Sequence, residues 1–415
     1  MGNISIPQDL RALLQDNSLS AAVVAISKTG EELFFEGYGK VHEDGKIVDR
    51  GSIFWLSSMS KLITTLAILR CISEGQITLD EDATRFLPEL ASLPILYQSN
   101  TGKLCTKPRT TPITIRHLLT HQSGCGLAFL HPTLLQYAQE NGLMIDVGNP
   151  IEYINSDLLD KVVTATLNRL PLCFEPGSGP FLYGSGFDWI GQLVSTLSGQ
   201  PLETYVQNHI CQPLGLTDTS MLFSEIPGTI EENWVRPKTY DTAAESFKTV
   251  AADLPRHGIA SGSHGFYSSP SDFSKILSVI LNSEIASKIG INESVWKEIT
   301  EPQLINTDAS GPESMYACMN GSVRHLFGVA SLPATTTFDM GLGGAITKND
   351  IDGMRNKSTY GWHGISNTLF WADREAGIAG AVLTNSFPTA DDRLVALARW
   401  FEKKAYSTRS DSQIG

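Results

Sequence analysis

The chain has 415 residues, 41% hydrophobic and 18% charged, a composition typical of folded globular domains and not of disordered chains. Its 44 acidic and 31 basic residues give a net charge of −13, which argues against nucleic acid as a partner because nucleic-acid-binding proteins carry basic surfaces. At about 150 residues per domain, this length predicts two or three domains.

Targeting and metal-binding signals are weak throughout the sequence. The N-terminal segment MGNISIPQDLRALLQ has neither the basic residues nor the apolar stretch of a secretory signal. The sequence contains no apolar run of about 18 residues, the length that would predict a membrane span. The six cysteines form no C-x-x-C pair and no Cys/His cluster with zinc-like spacing. The sequence therefore predicts a cytoplasmic protein with reduced thiols, no metal site and no membrane partner.

The N-terminal region predicts a strand pair followed by a buried helix. Residues 21–26 and 32–38 are rich in apolar side chains and flank a Lys-Thr-Gly turn, which is typical of two neighbouring strands. Residues 58–74 carry apolar side chains on nearly every helical face, which predicts a central, buried helix. Gly75 is a suitable residue to end it.

The middle of the chain, about 80–325, predicts helices separated by loops rich in proline and glycine. The helical spacing of apolar residues predicts helices over residues 115–120, 187–198 and 271–283. Weak periodicity predicts loops, expected to cover a site, over residues 94–112 and 126–160.

Strand patterns return from about residue 335. The predicted strands are short and apolar, and they span residues 336–347, 358–365, 367–372 and 378–384. A last helix is predicted over 391–404. Strands at both ends with helices between them predict two domains: a sheet domain of residues 1–80 and 326–415, and an inserted helical domain of residues 81–325.

The first candidate for chemistry is Ser58-Met59-Ser60-Lys61, an S-x-x-K motif at the start of the predicted buried helix. Residues three apart share one helix face, so the Ser58 hydroxyl and the Lys61 amine can meet. A serine hydroxyl is a poor nucleophile until a base takes its proton, and burial favours the neutral, basic form of an amine. The Ser58 N–H, at the start of the helix, can also help to hold an oxyanion. The tetrapeptide alone is common by chance; the apolar helix behind it places the pair at a domain core.

The second candidate is Tyr183-Gly184-Ser185, which precedes the predicted helix 187–198. A loop tyrosine beside glycine can come close to a nucleophile and pass its proton to a leaving group. The alternative is a buried structural tyrosine whose hydroxyl is bonded to the backbone.

The third candidate is Trp362-His363-Gly364-Ile365, in a strand-like segment. The extended backbone after Gly364 could offer the Ile365 N–H as a second oxyanion donor. The alternative for His363 is a packed or exposed strand histidine.

Other common catalytic motifs are absent from the sequence. The sequence has no G-x-S-x-G elbow, no phosphate-binding glycine loop after a strand, and no H-E-x-x-H. His121 lies in the helix-ending segment Thr120–Gly124 and is interpreted as part of a turn or pocket wall rather than as a base.

An ordered series of segments resembles the serine β-lactamase and penicillin-binding-protein superfamily, specifically its class C-like branch. The segments are FWLSSMSKLIT (54–64), GQITLDEDATRFLPEL (75–90), TPITIRHLLTHQSG (111–124), EPGSGPFLYGSGFDWIGQLVSTLSGQPLETYV (175–206), PLGLTDTS (213–220), SGSHGFYSSPSDFSKIL (261–277) and GWHGISNTLFWADREAGIAGAVLTN (361–385). The resemblance spans nearly the whole chain. It implies an α/β fold in which an antiparallel sheet is flanked by helices, with an inserted all-helical domain and the site between the two.

Carried over to this sequence, the resemblance implies that Ser58 is the nucleophile, Lys61 the general base and Tyr183 the tyrosine of the Y-x-N or Y-x-S element. It implies substrate-binding roles for Ser185, Trp362, His363 and Gly364. Ser185 stands where lactamases have asparagine. Trp362-His363-Gly364 replaces their Lys-Thr-Gly, which removes the lysine that would pair with a β-lactam carboxylate. This element is similar to the W-x-G of family VIII esterases and of fungal transesterases related to the lovastatin side-chain acyltransferase.

The resemblance implies a serine acyltransferase or transesterase that acts on a small secondary metabolite through an acyl-enzyme on Ser58. The oxyanion would lie between the N–H groups of Ser58 and Ile365. The implied partners are a small acyl donor, which is an ester or thioester and could be carrier-bound, and a small alcohol acceptor; no cofactor is required. The alternatives are an esterase or lactonase with the same machinery, a non-acyl reaction such as an isomerase or lyase reaction, and a catalytically idle scaffold.

Overall fold

The structure, a computed structural model, describes Leu10, Arg11 and Leu14 together with residues 18–143, 169–179, 181–222, 230–250, 261–304, 331–333 and 335–412. The strands are β1 (Ala21–Ser27), β2 (Glu32–Tyr38), β3 (Phe54–Trp55), β4 (Ile95–Gln98), β5 (Leu104–Lys107), β6 (Lys238–Asp241), β7 (Ser246–Thr249), β8 (Tyr267–Ser268), β9 (Phe338–Met340), β10 (Ala345–Thr347), β11 (Tyr360–His363), β12 (Leu369–Asp373), β13 (Ile378–Thr384) and β14 (Ser386–Phe387).

The α-helices are α1 (Ser60–Ser73), α2 (Pro88–Ala91), α3 (Ile115–Leu119), α4 (Pro132–Glu140), α5 (Gly186–Ser198), α6 (Leu202–Val206), α7 (Gln212–Leu214), α8 (Ile230–Asn233), α9 (Pro270–Leu281), α10 (Ser283–Lys288), α11 (Glu293–Glu298) and α12 (Asp392–Ser412). Short 3-10 helices in the described residues include Ser57–Met59, Ala83–Arg85 and Ala128–Leu130, and a π-helical stretch is Gln207–Cys211.

The main sheet joins the two ends of the chain. Its strand order is β2-β1-β13-β12-β11-β10-β9, and each neighbouring pair is antiparallel. The N-terminal strand β1 pairs along its whole length with the C-terminal strand β13, from Ala21 opposite Thr384 to Ser27 opposite Ile378. The prediction of an antiparallel sheet built from both termini is confirmed.

Helices cover both faces of this sheet. Alternate residues of a strand point to opposite faces, and β1 is apolar on both. Ala22, Val24 and Ile26 belong to the large core shared with α1 and α9. Their neighbours in β1 belong to a second core beneath α12. The continuous apolar run that predicted β1 is therefore explained by burial on two sides.

Helix α1 is the central helix that the sequence predicts. Its residues are buried without interruption from Ser60 to Leu69, and it packs most closely against α5. A helix that is apolar on all sides has to lie inside the protein, because any exposed face would leave apolar surface in water. Its N-terminal end, next to Ser58, lies where the candidate site is formed.

Two predictions of loops are wrong within the described residues. The segment 94–112 contains an antiparallel hairpin of β4 and β5, with Ile95 opposite Lys107. The last two residues of each strand are exposed, so the hairpin has no regular alternation of apolar and polar residues. In 126–160, α4 begins after His131, whose ring accepts the Leu134 N–H in place of the usual serine or aspartate. Residues 144–160 lie outside the described residues.

Three smaller differences concern element ends. The helix predicted over 271–283 ends at Leu281, and α10 begins at Ser283 after an Asn282 cap. The strand predicted over 336–347 is two strands, β9 and β10, and α12 continues to Ser412.

Helix α9 lies within the predicted helical insert of residues 81–325, but it packs on β1, β12 and β13 of the main sheet. The division into two domains stays a prediction.

Candidate active site

The segment before Ser58 is held by backbone hydrogen bonds to residues 266–268. Strand β3 pairs antiparallel with β8, and the Leu56 N–H donates to the Phe266 carbonyl at 2.9 Å. The chain then forms the 3-10 turn Ser57–Met59 and continues as α1. Because the first N–H groups of a helix have no partner within it, the Ser58 N–H is at a place suited to an oxyanion.

Ser58, Lys61 and Tyr183 are brought together. The Ser58 Oγ lies 2.7 Å from the Tyr183 hydroxyl, and the Lys61 Nζ donates to the same Oγ at 3.2 Å. The first pair is 125 residues apart in the chain and the second is three residues apart. One hydroxyl therefore contacts an amine and a phenol, either of which can exchange a proton with it.

Lys61 is buried, with 2% of its surface exposed. Besides the Ser58 Oγ, its Nζ donates to the Ser263 carbonyl at 3.0 Å, and it lies 4.9 Å from the ring centre of Tyr183 and 5.6 Å from that of Phe187. These contacts of Lys61 in the described part of the chain include a carbonyl, a hydroxyl and aromatic faces but no carboxylate. The Lys61 amine therefore lies within hydrogen-bond reach of the Ser58 hydroxyl without a carboxylate partner among these contacts.

A buried carboxylate holds the Ser263 carbonyl in place. Asp188, 6% exposed, accepts hydrogen bonds from the Ser261 hydroxyl at 2.6 Å, the Ser263 N–H at 3.2 Å and the Ser263 hydroxyl at 2.7 Å. Asp188 lies in the first turn of α5, where the helix dipole favours a negative charge. Sequence analysis missed Asp188 and Ser263, because no local pattern marks a contact between residues 75 positions apart.

Tyr183 is positioned by a close backbone approach. A Cβ on Gly184 would lie 1.5 Å from the Cys125 carbonyl oxygen, so only glycine fits there. The Gly184 N–H donates to the Nδ1 of His121 at 3.3 Å, and the His121 ring lies 4.8 Å from the Tyr183 ring. His121 thus forms part of the pocket wall, as the sequence suggests, and it directly supports Tyr183.

Three histidines lie around the site: His121 and His363 are buried, and His264 is half-buried. Burial is the main cause that lowers the pKa of each, and Lys61 lowers it further when it is protonated. The pKa of His264 falls to about 4 although Asp188 opposes the shift, that of His363 falls to about 3, and that of His121 falls well below its usual range. All three are therefore neutral at pH 7.

The predicted substrate-binding residues do not all lie in one place. The Trp362 ring lies 5.9 Å from the Tyr183 ring and 6.1 Å from the His121 ring, so it forms part of the same aromatic wall. His363 lines a small cavity that is also bordered by Leu369 and by residues of α12. Ser185 is half-buried at the start of α5, and among the described hydrogen bonds none joins its hydroxyl to Ser58, Lys61 or Tyr183.

The predicted second oxyanion donor lies beside the nucleophile and is already bonded. The Ile365 N–H donates to the Ser57 Oγ at 3.1 Å. A Cβ on Gly364 would lie 2.8 Å from the Ser57 Cβ, so the glycine allows the strand end to approach the turn that carries Ser58. Sequence analysis did not single out Ser57.

Two further findings concern the described residues alone. Among them, no group of three or more His, Cys, Asp or Glu side chains is placed to hold a metal ion. None of the helices in this part of the chain combines the length and the hydropathy needed to cross a membrane.

Comparison with known proteins identifies the family. The family profile described as Beta-lactamase matches residues 6–404. Monacolin J acid methylbutanoyltransferase of Aspergillus terreus is 28% identical over 359 residues, which cover 85% of this chain and 81% of that protein. Lovastatin esterase of Penicillium rubens is 29% identical over 362 residues, 85% of each protein. The solved structure of unliganded simvastatin synthase (LovD) from Aspergillus terreus has a TM-score of 0.82 with 25% identity, and the match covers 96% of both chains.

These relatives include both acyltransferases and esterases, which agrees with the resemblance found in the sequence. The fold and the ordered motifs match over nearly the whole chain, and the chain therefore belongs to the Beta-lactamase family.

Proposed function

We propose that this protein is a serine acyl-transfer enzyme that moves an acyl group from a small ester or thioester to a small alcohol of secondary metabolism. The observation that carries the proposal is the Ser58 Oγ, which is 3.2 Å from the buried Lys61 Nζ and 2.7 Å from the Tyr183 hydroxyl. The acyltransferases and esterases among its relatives support acyl transfer as the reaction class. No cofactor takes part, and the proposed setting is the cytoplasm.

In the first half-reaction, the neutral amine of Lys61 accepts the Ser58 proton while Oγ attacks the carbonyl carbon of the donor. The negative charge that develops on the carbonyl oxygen is held by the N–H groups of Ser58 and Ile365. Tyr183 donates a proton to the leaving oxygen or sulfur, and the proton on Lys61 restores that of the tyrosine. The bond to the leaving group breaks, and an ester between the acyl group and Ser58 remains.

In the second half-reaction, the same groups act in the reverse order. The acceptor alcohol loses its proton to the Tyr183 oxygen, which passes its own proton to Lys61, and the alcohol oxygen attacks the acyl carbon. The bond to the Ser58 Oγ breaks, and the serine recovers its proton. Water in place of the alcohol gives hydrolysis by the same steps. An esterase is therefore the second candidate, favoured by the likeness to lovastatin esterase.

The nucleophile is tested with Ser58→Ala and an activated ester, a p-nitrophenyl acyl ester. Turnover is expected to fall by about 1,000-fold or more, because the proposed reaction has no route without the covalent intermediate. Ser195→Ala is the matched control, since its hydroxyl bonds the Gly191 carbonyl within α5. The intact mass should rise by one acyl group in the wild type and in the control, but not in Ser58→Ala. Unchanged turnover in Ser58→Ala would remove Ser58 as the nucleophile.

Transfer and hydrolysis are separated by the products. The acylated enzyme is offered a panel of small polyketide and terpenoid alcohols, and the products are identified by mass spectrometry. Transfer predicts an ester of one of these alcohols that forms faster than the free acid. Free acid as the sole product with every alcohol would favour the esterase.

A further inference from the structure

The hydroxyl of Ser57 accepts a hydrogen bond from the Ile365 N–H, the group that the proposed reaction needs as its second oxyanion donor. Ser57 is fully buried and immediately precedes the nucleophile, and its Oγ accepts the Ile365 N–H at 3.1 Å. These two residues are 308 positions apart in the chain. The bond therefore joins the turn that carries Ser58 directly to the end of β11.

Both partners of this bond are fixed in position. The Ile365 side is held by the turn that follows β11, in which the Gly364 N–H donates to the Thr368 carbonyl at 2.8 Å. That turn also contacts the other segment, since the Thr368 hydroxyl lies 3.4 Å from the Leu56 carbonyl. The backbone of the two segments is therefore held at one spacing.

The backbone of Ser57 shows that this arrangement is imposed by its surroundings. Its φ is +51°, in the left-handed region that a residue with a Cβ rarely adopts. Such a conformation persists where the surrounding structure holds it, and it is common at functional sites. The Ser57 side chain can still change its χ1 angle between staggered positions without movement of the backbone.

We propose that the Ser57 hydroxyl is a resident acceptor for the Ile365 N–H, which the carbonyl oxygen of the substrate displaces as it becomes an oxyanion. The inference rests on the proposed acyl-transfer function and adds a residue to it. A charged oxygen is a stronger acceptor than a hydroxyl, so the exchange is favourable only as negative charge develops. The bond between Ser57 and Ile365 has to break before the Ile365 N–H can bind the oxyanion. Ser57 therefore reduces the stabilisation of the oxyanion by the free energy of one neutral hydrogen bond.

Ser57→Ala tests this inference because alanine keeps the Cβ and removes the hydroxyl. The acylation rate and kcat/KM for a p-nitrophenyl ester are expected to rise by about three- to tenfold, the equivalent of one neutral hydrogen bond. Phenylboronic acid provides a second measurement. Its boron bonds the Ser58 Oγ as the serine proton is lost, and one oxygen of the tetrahedral adduct is then placed as the oxyanion is. Its inhibition constant is expected to fall by a similar factor.

Ser60→Ala is the matched control. The Ser60 Oγ accepts the Phe266 N–H at 3.0 Å, so this change also removes a buried bond between a serine hydroxyl and a backbone amide, but not at Ile365. Neither quantity is expected to improve in Ser60→Ala. Should Ser57→Ala fail to fold, Ser57→Gly carries the test, since glycine also lacks the hydroxyl and adopts positive φ readily.

The outcomes separate this inference from the function on which it rests. A faster reaction and tighter boronate binding in the folded Ser57 variant support it. Unchanged or weaker values overturn it; if Ser58→Ala is inactive at the same time, the acyl-transfer function stands without it. Full activity in Ser58→Ala would contradict both the inference about Ser57 and the proposed acyl-transfer function.

Discussion

At the scale of single residues, Asp188 holds the carbonyl group that receives the Lys61 amine, the proposed base. It does not contact Lys61 directly; it binds the N–H and the hydroxyl of Ser263, whose carbonyl receives the Lys61 Nζ. Asp188→Asn places an N–H donor where a carboxylate oxygen accepts hydrogen bonds, so at least one of these bonds is lost. We expect the kcat for a p-nitrophenyl ester to fall by about tenfold, the effect of one bond to a charged group.

The control for Asp188 is Ser261→Ala, which removes one donor to the carboxylate at 2.6 Å and a second acceptor of the Ser263 N–H at 3.2 Å. It leaves the carboxylate and both of its own bonds to Ser263 in place. Its kcat should fall less than that of Asp188→Asn. Equal losses in the two variants would mean that the network acts as a whole, and no loss in Asp188→Asn would contradict the positioning role.

Gly184 is the residue that sets the position of Tyr183. Gly184→Ala would place a Cβ 1.5 Å from the Cys125 carbonyl oxygen, and a backbone atom cannot move aside as a side chain can. We expect a fall in melting temperature of several degrees, the consequence of about 1–3 kcal/mol of overpacking, together with loss of ester turnover. Gly51→Ala is the control, since its nearest neighbour is a side-chain oxygen at 3.7 Å. Retained activity and stability in Gly184→Ala would show that this close approach is not required.

At the scale of elements, sequence patterns predict what is decided locally or by burial on all sides. Helix α1 and strand β1 are found because continuous apolar residues have to lie inside the protein. Helix α4 is missed because its cap is a histidine, His131, rather than one of the common capping residues. Ser58 and Lys61 are found as a pair because i and i+3 share a helix face.

The other contacts of the site depend on the tertiary fold. Tyr183 can be identified by resemblance, but its 2.7 Å contact with Ser58 joins residues 125 positions apart. The bond between Ser57 and Ile365 and those between Asp188 and Ser263 have no sequence signature at all. They follow from how β11 and α5 pack against the N-terminal end of α1, which a single sequence does not determine.

An ion pair joins α12 to the segment between β10 and β11. The Arg355 guanidinium donates to the two carboxylate oxygens of Glu402 at 2.6 and 3.0 Å, and both side chains are buried. Arg355→Met leaves a buried carboxylate without this partner, so we expect a loss of about 3–5 kcal/mol in the free energy of unfolding, measured with urea.

The double variant Arg355→Met with Glu402→Leu should recover most of that loss, because no charge is then left buried without a partner. Lys297→Ala, which breaks an exposed pair with Glu293 on α11, should leave the urea midpoint unchanged. A double variant less stable than Arg355→Met alone would contradict this account of the pair.

At the scale of the whole molecule, the site is formed where three parts of the chain meet. Ser58 comes from the N-terminal part, Tyr183 and Ser263 from the middle, and Ile365 from the C-terminal strands. Burying the middle of this junction removes several titratable groups from water. Stability and the site are therefore linked through the three histidines around the site, and we expect this linkage to make the stability of the protein depend on pH.

The three histidines around the site stay neutral in the folded protein well below the pH at which they gain a proton in the unfolded chain. An unfolded histidine has a pKa of about 6.5, whereas burial lowers the pKa of His264 to about 4 and that of His363 to about 3 in the folded state. The unfolded chain therefore binds more protons below pH 6.5. Stability is complete above that pH and falls as the pH decreases toward 4 for His264 and toward 3 for His363.

His363→Gln tests this dependence. Each such histidine contributes up to about 1.4 kcal/mol per pH unit to the decline in the free energy of unfolding, so the substitution should make the decline shallower by about 1 kcal/mol per unit. The range from pH 6 to pH 5 is the informative one, because ordinary carboxylates titrate lower, near pH 4. Urea unfolding of both proteins at pH 6 and pH 5 gives the two slopes, and the slope is unaffected by any constant loss of stability from the substitution itself. An identical slope in the variant would show that His363 already takes up its proton in the folded protein within this range.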